Sequence, residues 1–159
     1  MNYRILKTIK SPQDVKKLPM DALEPLCAEI RDFLIRNVSK TGGHLASNLG
    51  AVELTVAIYR SMSPDDRIVF DVGHQCYTHK LLTGRMDQFG TLRQLGGISG
   101  FPNPKESQYD SFVAGHGSTS LSVAIGIARA KKIMNEPGKV FALIGDGAFT
   151  GGMVYEGMN

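Results

Sequence analysis

An aspartate held between two glycines, Gly145-Asp146-Gly147, directly follows the apolar run 140–144. Five apolar residues with two β-branched members, entered through Pro137-Gly138-Lys139, predict a short buried strand of the parallel-sheet kind. Ligands of such sheets bind at the carboxyl ends of the strands, which is where Asp146 falls. The flanking glycines let backbone approach a bulky anion with no Cβ in the way. A carboxylate in that place suits a hard divalent cation such as Mg²⁺, which takes one or two protein oxygens and completes its octahedron with water and phosphate oxygens. A tight turn after a strand is the plainer explanation of the same triplet.

Two further segments and one helix junction carry residues of the same character. Gly115-His116-Gly117-Ser118-Thr119-Ser120 opens a predicted helix through Leu121, Ala124, Ile125 and Ala128, and its residue types suit an anion cradle at a helix start. Asp71-Val72-Gly73-His74-Gln75 follows the strand-like run 68–70, so His74 is expected in the same strand-end crevice. Gly42-Gly43-His44-Leu45-Ala46-Ser47 lies where one amphipathic helix ends and another begins. Three of the four histidines thus follow a glycine at the end of a predicted element. Each alone reads as an ordinary structural histidine; the three together favour a functional site.

The elements that must position these groups follow from periodicity. Residues 1–19, with Ser11-Pro12 and Leu18-Pro19, read as an irregular lead-in. Leu23, Leu26, Cys27, Ile30, Phe33, Leu34 and Val38 recur at helical spacing, predicting a helix that packs on a sheet and ends at Gly42. A second helix is predicted over 48–60, with Leu49, Val52, Val56 and Tyr59 on one side and a stop at Ser63-Pro64. The stretch 84–111 contains Gly90, Gly96-Gly97, Gly100 and Phe101-Pro102 with little periodicity, so a long loop is expected, functional or merely exposed. Lys131-Lys132 reads as the solvated end of a helix. The class predicted is α/β, a parallel sheet flanked by helices.

A net charge of +3 spread along 159 residues gives no basic stripe and argues against nucleic acid. Cys27 and Cys76 form no Cys-x-x-Cys pair, which indicates neither a metal site nor a disulfide framework and fits a reducing cytoplasm. No stretch has the length and apolarity of a membrane span or the core of a signal peptide.

Thr41-Gly-Gly-His-Leu-Ala-Ser-Asn-Leu-Gly50, Phe70-Asp-Val-Gly-His-Gln75, His79-Lys-Leu-Leu-Thr-Gly84, Gly97-Ile-Ser-Gly-Phe-Pro102, Gly115-His-Gly-Ser-Thr-Ser120 and Gly145-Asp-Gly-Ala148 match, in order and spacing, the start of the 1-deoxy-D-xylulose-5-phosphate synthase family. The chain resembles that family from about Leu23 onward. The resemblance implies a transketolase-like enzyme that uses thiamine diphosphate and Mg²⁺, joins pyruvate to D-glyceraldehyde 3-phosphate with loss of CO₂, and works as a cytoplasmic homodimer when intact. It implies Asp146 as the metal ligand. Gly147 and Ala148, with Gly115, His116 and Gly117, would lie at the cofactor. It further implies that His74 contacts the cofactor and that His44 lies near the reacting carbon, in proton transfer or in holding substrate oxygens. Glycine at 117 replaces a usual serine, and Cys76 a small residue.

The resemblance also implies a chain that is the N-terminal part of a diphosphate-binding domain. A second metal ligand would come from the next parallel strand, and a crossover of that kind takes a dozen or more residues. Only 147–159 follow Asp146, so 150–159 reads as the opening of the crossover helix, and Asn159 comes too early to be the family's asparagine ligand. The family's catalytic glutamate belongs to a later domain. The isolated chain is therefore expected to bind cofactor weakly, to turn over nothing, and to be marginally stable. Two alternatives are a non-catalytic subunit of a split transketolase-like complex and a transketolase with a sugar-phosphate donor.

Overall fold

Ser11-Pro12 starts a helix. Proline is favoured in a first helical turn, and Asp14 receives the N–H groups of Lys10 and Ser11 at 3.0 and 2.9 Å, so α1 (Pro12–Lys17) forms in the segment expected to be irregular. The computed structural model describes residues 2–159. Their contacts divide into two units: residues up to Met62 with Gln75–Gly100, and Ser63–His74 with Phe101–Asn159.

The first unit is helical. Its central element, α2 (Leu23–Thr41), buries Leu26, Cys27, Ile30, Phe33, Leu34 and Val38, the face set by the 3.6-residue period, and ends at Gly42 with φ 75°. Within this unit it packs against the helices α3 (Leu45–Gly50), α4 (Val52–Ser61) and α5 (Tyr77–Leu82). The single helix expected over 48–60 is two, because Ala51 adopts φ −106°, ψ 5° between α3 and α4. The lead-in is docked. Glu29 on α2 accepts the N–H groups of Arg4, Ile5 and Leu6 at 2.9, 3.0 and 2.8 Å, and Leu6, Ile9 and Val15 are fully buried.

The loop expected over 84–111 contains one 3₁₀ turn and is anchored in the core at several points, with residues 93–96 exposed. A 3₁₀ turn over Met86–Thr91 inserts Phe89 edge-on against Phe33 and Tyr77, at centroid distances of 5.4 and 6.3 Å, while Leu92 and Ile98 are buried. Every residue of α5 is buried, so its polar groups need partners inside the protein. The Tyr59 hydroxyl is hydrogen-bonded to His79 Nδ1, and the two rings stack.

Burial also gives this unit a pH dependence. It raises the Cys27 thiol above its ordinary 9.0 and the Tyr77 phenol above its ordinary 10.0. The unfolded chain releases both protons at the ordinary values, the folded chain only at higher pH, so the contribution of these two groups to stability is complete below pH 9.0 and falls as pH rises. The urea midpoint is expected to drop progressively once the pH passes 9.0 and 10.0, and less steeply in Tyr77→Phe. An alkaline titration with a flat midpoint contradicts this.

The second unit holds the sheet. β1 (Arg67–Phe70) and β2 (Val140–Leu143) pair in parallel, with Arg67 opposite Val140 and Phe70 opposite Leu143. Asp71 N–H continues the ladder to the Leu143 carbonyl at 2.8 Å. At the other end Asp66 ties the strand starts together, accepting the N–H groups of Lys139 at 2.6 Å and Ser63 at 2.7 Å. α6 (Ser120–Ile133) packs on both strands, α7 (Asp146–Phe149) follows β2, and α8 (Gly152–Met158) packs on α6. Lys131 is only 6% exposed and lies 3.8 Å from Glu136, which corrects its reading as a solvated helix end. The class is α/β. No helix among the described residues is long and apolar enough to cross a membrane.

Candidate functional site

Parallel pairing in this register brings the carboxyl ends of β1 and β2 side by side, so the turns that follow them are neighbours. After β1 come Asp71, Val72, Gly73 and His74. Val72 holds φ 58° and Gly73 φ 92°. For a β-branched residue the left-handed region costs of order 1–3 kcal/mol, strain that clusters at functional sites. Gly73 cannot be replaced cheaply, because a Cβ there would stand 2.6 Å from Pro102 Cδ. His74 closes the turn, half-buried.

Asp71 organises the segment 115–120. Its carboxylate, 1% exposed, accepts the N–H of Ser118 at 2.9 Å and of Ser120 at 3.1 Å, capping α6 from 47 and 49 residues away. The anion cradle expected at this helix start is therefore partly filled by the protein's own carboxylate, and the N–H groups of Ser118 and Ser120 are already committed. Ser118, itself at φ 69°, donates its hydroxyl to the Ala148 carbonyl at 2.6 Å. One segment is thus latched to the turn after β1 through Asp71 and to the turn after β2 through Ala148.

A Cβ built on Gly117 would lie 3.8 Å from both Ala148 Cβ and Val72 Cγ2, and 3.9 Å from Asp71 Oδ1. Those are ordinary van der Waals distances, so a Cβ fits and glycine is not a steric requirement there. Gly117, Val72 and Ala148 converge on one patch. Gly115, His116 and Gly117 are exposed on it.

Asp146 is the first residue of α7 and is exposed, while Gly145 and Gly147 have open space where a Cβ would stand. This rim suits an anionic group carrying a hard cation: one accessible carboxylate oxygen donor, backbone without side chains on either side, and exposed glycine backbone at 115–117. Among the described residues no group of three or more His, Cys, Asp or Glu gathers as a metal cluster. Asp146 would contribute one oxygen and leave the remaining positions to water and ligand oxygens.

His44 belongs to the helical unit. It is the residue before α3, exposed, and its backbone is held by Asn48 and Tyr77. Reading the sequence located the glycine, histidine and aspartate positions but missed Asp71 as the cap of α6. The acid was visible beside His74; nothing local to it signalled a helix whose first turn lies nearly fifty residues downstream.

Asp71→Asn is expected to cost about 1–2 kcal/mol, since it keeps one acceptor but removes the charge facing the first turn of α6. Amide exchange at residues 118–121 should quicken, measured against unchanged exchange in α2. Unaltered exchange at 118–121 would remove Asp71 from this role.

A family model described as 1-deoxy-D-xylulose-5-phosphate synthase matches residues 6–159. Among curated relatives, the 1-deoxy-D-xylulose-5-phosphate synthase of Lachnoclostridium phytofermentans is 57% identical over 157 residues, covering 98% of this chain and 25% of that protein. That of Alkaliphilus oremlandii is 56% identical over 158 residues, 99% of this chain and 25% of its own length. That of Anaeromyxobacter dehalogenans is 54% identical over 157 residues, with 98% and 25% covered. The chain spans a quarter of the length of these relatives. With the match running from residue 6 to residue 159 and through both units, the chain belongs to the 1-deoxy-D-xylulose-5-phosphate synthase family.

Proposed function

We propose that this chain supplies the diphosphate-side part of an enzyme that condenses pyruvate with D-glyceraldehyde 3-phosphate, releasing CO₂ and forming 1-deoxy-D-xylulose 5-phosphate, with thiamine diphosphate and Mg²⁺. Carbon balances: two three-carbon substrates give a five-carbon product and CO₂. The observation that carries the proposal is the latch at the strand ends, where Ser118 joins Asp71 to Ala148 and three glycine-bearing turns meet beside Asp146.

Bound thiamine diphosphate supplies the electron sink that lets pyruvate lose CO₂ and its remnant attack an aldehyde. The residues of this chain have simpler duties. Asp146 gives one carboxylate oxygen to Mg²⁺, and the backbone at Gly147 and Ala148, with that of Gly115, His116 and Gly117, receives the diphosphate. His74 contacts the cofactor. His44 presents its imidazole to the substrate, holding an oxygen or moving a proton. We assign the same enzyme to the cytoplasm as a homodimer, feeding isoprenoid synthesis. By itself the chain carries one metal ligand, so it is proposed to bind cofactor weakly and turn over nothing.

The experiment uses the full-length protein containing this segment, with pyruvate, D-glyceraldehyde 3-phosphate, thiamine diphosphate and Mg²⁺. Release of CO₂ matched by 1-deoxy-D-xylulose 5-phosphate is expected; folded, cofactor-bound protein that forms no product refutes the proposal. Calorimetric titration of the 159-residue chain alone should show no tight Mg²⁺-dependent binding, and finding it would overturn the part concerning the isolated chain.

A further inference from the structure

Resting on the assignment of His44 to the substrate, we infer that Asn48 and Tyr77 are positioning residues that hold His44 through a closed ring of three hydrogen bonds. His44 N–H donates to the Tyr77 phenol oxygen at 3.4 Å, Tyr77 N–H to Asn48 Oδ1 at 2.7 Å, and Asn48 Nδ2 to the His44 carbonyl at 2.6 Å. The ring is tertiary, since Tyr77 lies 29 residues from Asn48 and 33 from His44. Asn48 and Tyr77 are fully buried, whereas His44 is exposed. An exposed imidazole thus stands on a mount that belongs to the core.

The residue types follow from the geometry. Position 48 must accept a hydrogen bond from Tyr77 and donate one to His44 with a single short side chain, which asparagine's amide does and a carboxylate cannot. The amide orientation is fixed as well, because reversal would face Nδ2 to an N–H and Oδ1 to a carbonyl. Gly43 completes the mount: its φ of 143° and the Tyr77 hydroxyl, 2.7 Å from where a Cβ would be, leave room for no side chain beside the ring. Such a mount is what proton transfer or oxygen binding by His44 needs, since misplacing a reacting group by about 1 Å can cost 100-fold in rate. His44 directly precedes a helix of only six residues, a place where backbone otherwise frays.

The test compares His44→Ala, Asn48→Asp and Tyr77→Phe in the full-length protein. Asn48→Asp keeps the acceptor for Tyr77 and loses the donor to His44; Tyr77→Phe removes one oxygen. Asn48→Asp is expected to lower kcat about 10- to 100-fold with KM and cofactor affinity within about two-fold, and Tyr77→Phe to lower it several-fold less, its bond being the longer. Amide exchange at His44 should quicken in both, with exchange along α2 and the melting midpoint of Tyr77→Phe unchanged. Loss of turnover in His44→Ala alone, with kcat kept in the other two, overturns the positioning role and leaves the assignment of His44 standing. Full turnover in His44→Ala overturns that assignment and the inference resting on it. If Asn48→Asp fails to fold, Tyr77→Phe decides. A kcat loss that merely follows a fall in melting midpoint in both variants reduces the ring to a structural role and overturns the proposal.

Discussion

Asp146→Ala in the full-length protein should abolish Mg²⁺-dependent binding of thiamine diphosphate, weakening it more than about 100-fold, while leaving the fold nearly untouched. Both halves of that result follow from placement. Between residues 137 and 155 the chain has no other carboxylate, and the Asp71 carboxylate near Ala148 is committed to the N–H groups of Ser118 and Ser120, so neither that stretch nor Asp71 replaces the lost oxygen. Mg²⁺ sheds water reluctantly and is held through one or two carboxylates plus phosphate oxygens, so each protein oxygen carries a large share of its affinity. Yet the side chain is exposed at the first residue of a four-residue helix, where truncation is worth at most about 0.5 kcal/mol of stability. A melting curve coincident with the parent, beside a cofactor titration gone flat, is the signature. If Asp146→Ala binds cofactor with the parent's Mg²⁺ dependence, the metal is held elsewhere and the proposed site is wrong.

Phe89→Ala should destabilise the helical unit by about 3–5 kcal/mol, the range for a buried phenylalanine whose cavity cannot collapse. Phe89 is fully buried, and its ring meets Phe33 of α2 and Tyr77 of α5 edge-on, so its loss empties a space that those elements surround together. From sequence, residues 84–111 read as a long loop with little periodicity, which does not mark Phe89 as a core residue. Urea unfolding measures it, with the parent slope retained. A shift below about 1 kcal/mol would mean that this stretch is draped over the unit without belonging to its core. Tyr77 links this prediction to His44, since its ring meets Phe89 edge-on and its hydroxyl receives the His44 N–H. Phe89→Ala should therefore also quicken amide exchange at His44.

The parts legible in the sequence were those whose cause is local. Leu26, Cys27, Ile30, Phe33, Leu34 and Val38 repeat at the helical period, and Gly42 supplies the positive φ that ends α2. Runs of consecutive apolar residues gave the two strands within a residue, with Ile144 left to the turn. His44 and His74 stood out because the glycine before each is required locally, Gly43 by the Tyr77 hydroxyl and Gly73 by Pro102, while Asp146 stood out by its place at the end of an apolar run.

What the sequence by itself determined, then, was the class, the strand-end turns and the family. Tertiary structure decided how the lead-in, the start of α6 and His44 are anchored, because those contacts join residues far apart in the chain, and no propensity or period carries such information. Glu29 organises the lead-in by taking N–H groups 23 to 25 residues away, Asp71 caps α6 from 47 and 49 residues away, and Tyr77 holds His44 from 33 residues away. Lys131 is buried beside Glu136 even though its neighbour Lys132 is exposed, a difference that depends on which side of α6 is covered. Local chemistry names the groups that can act; long-range hydrogen bonds and burial set where each one stands.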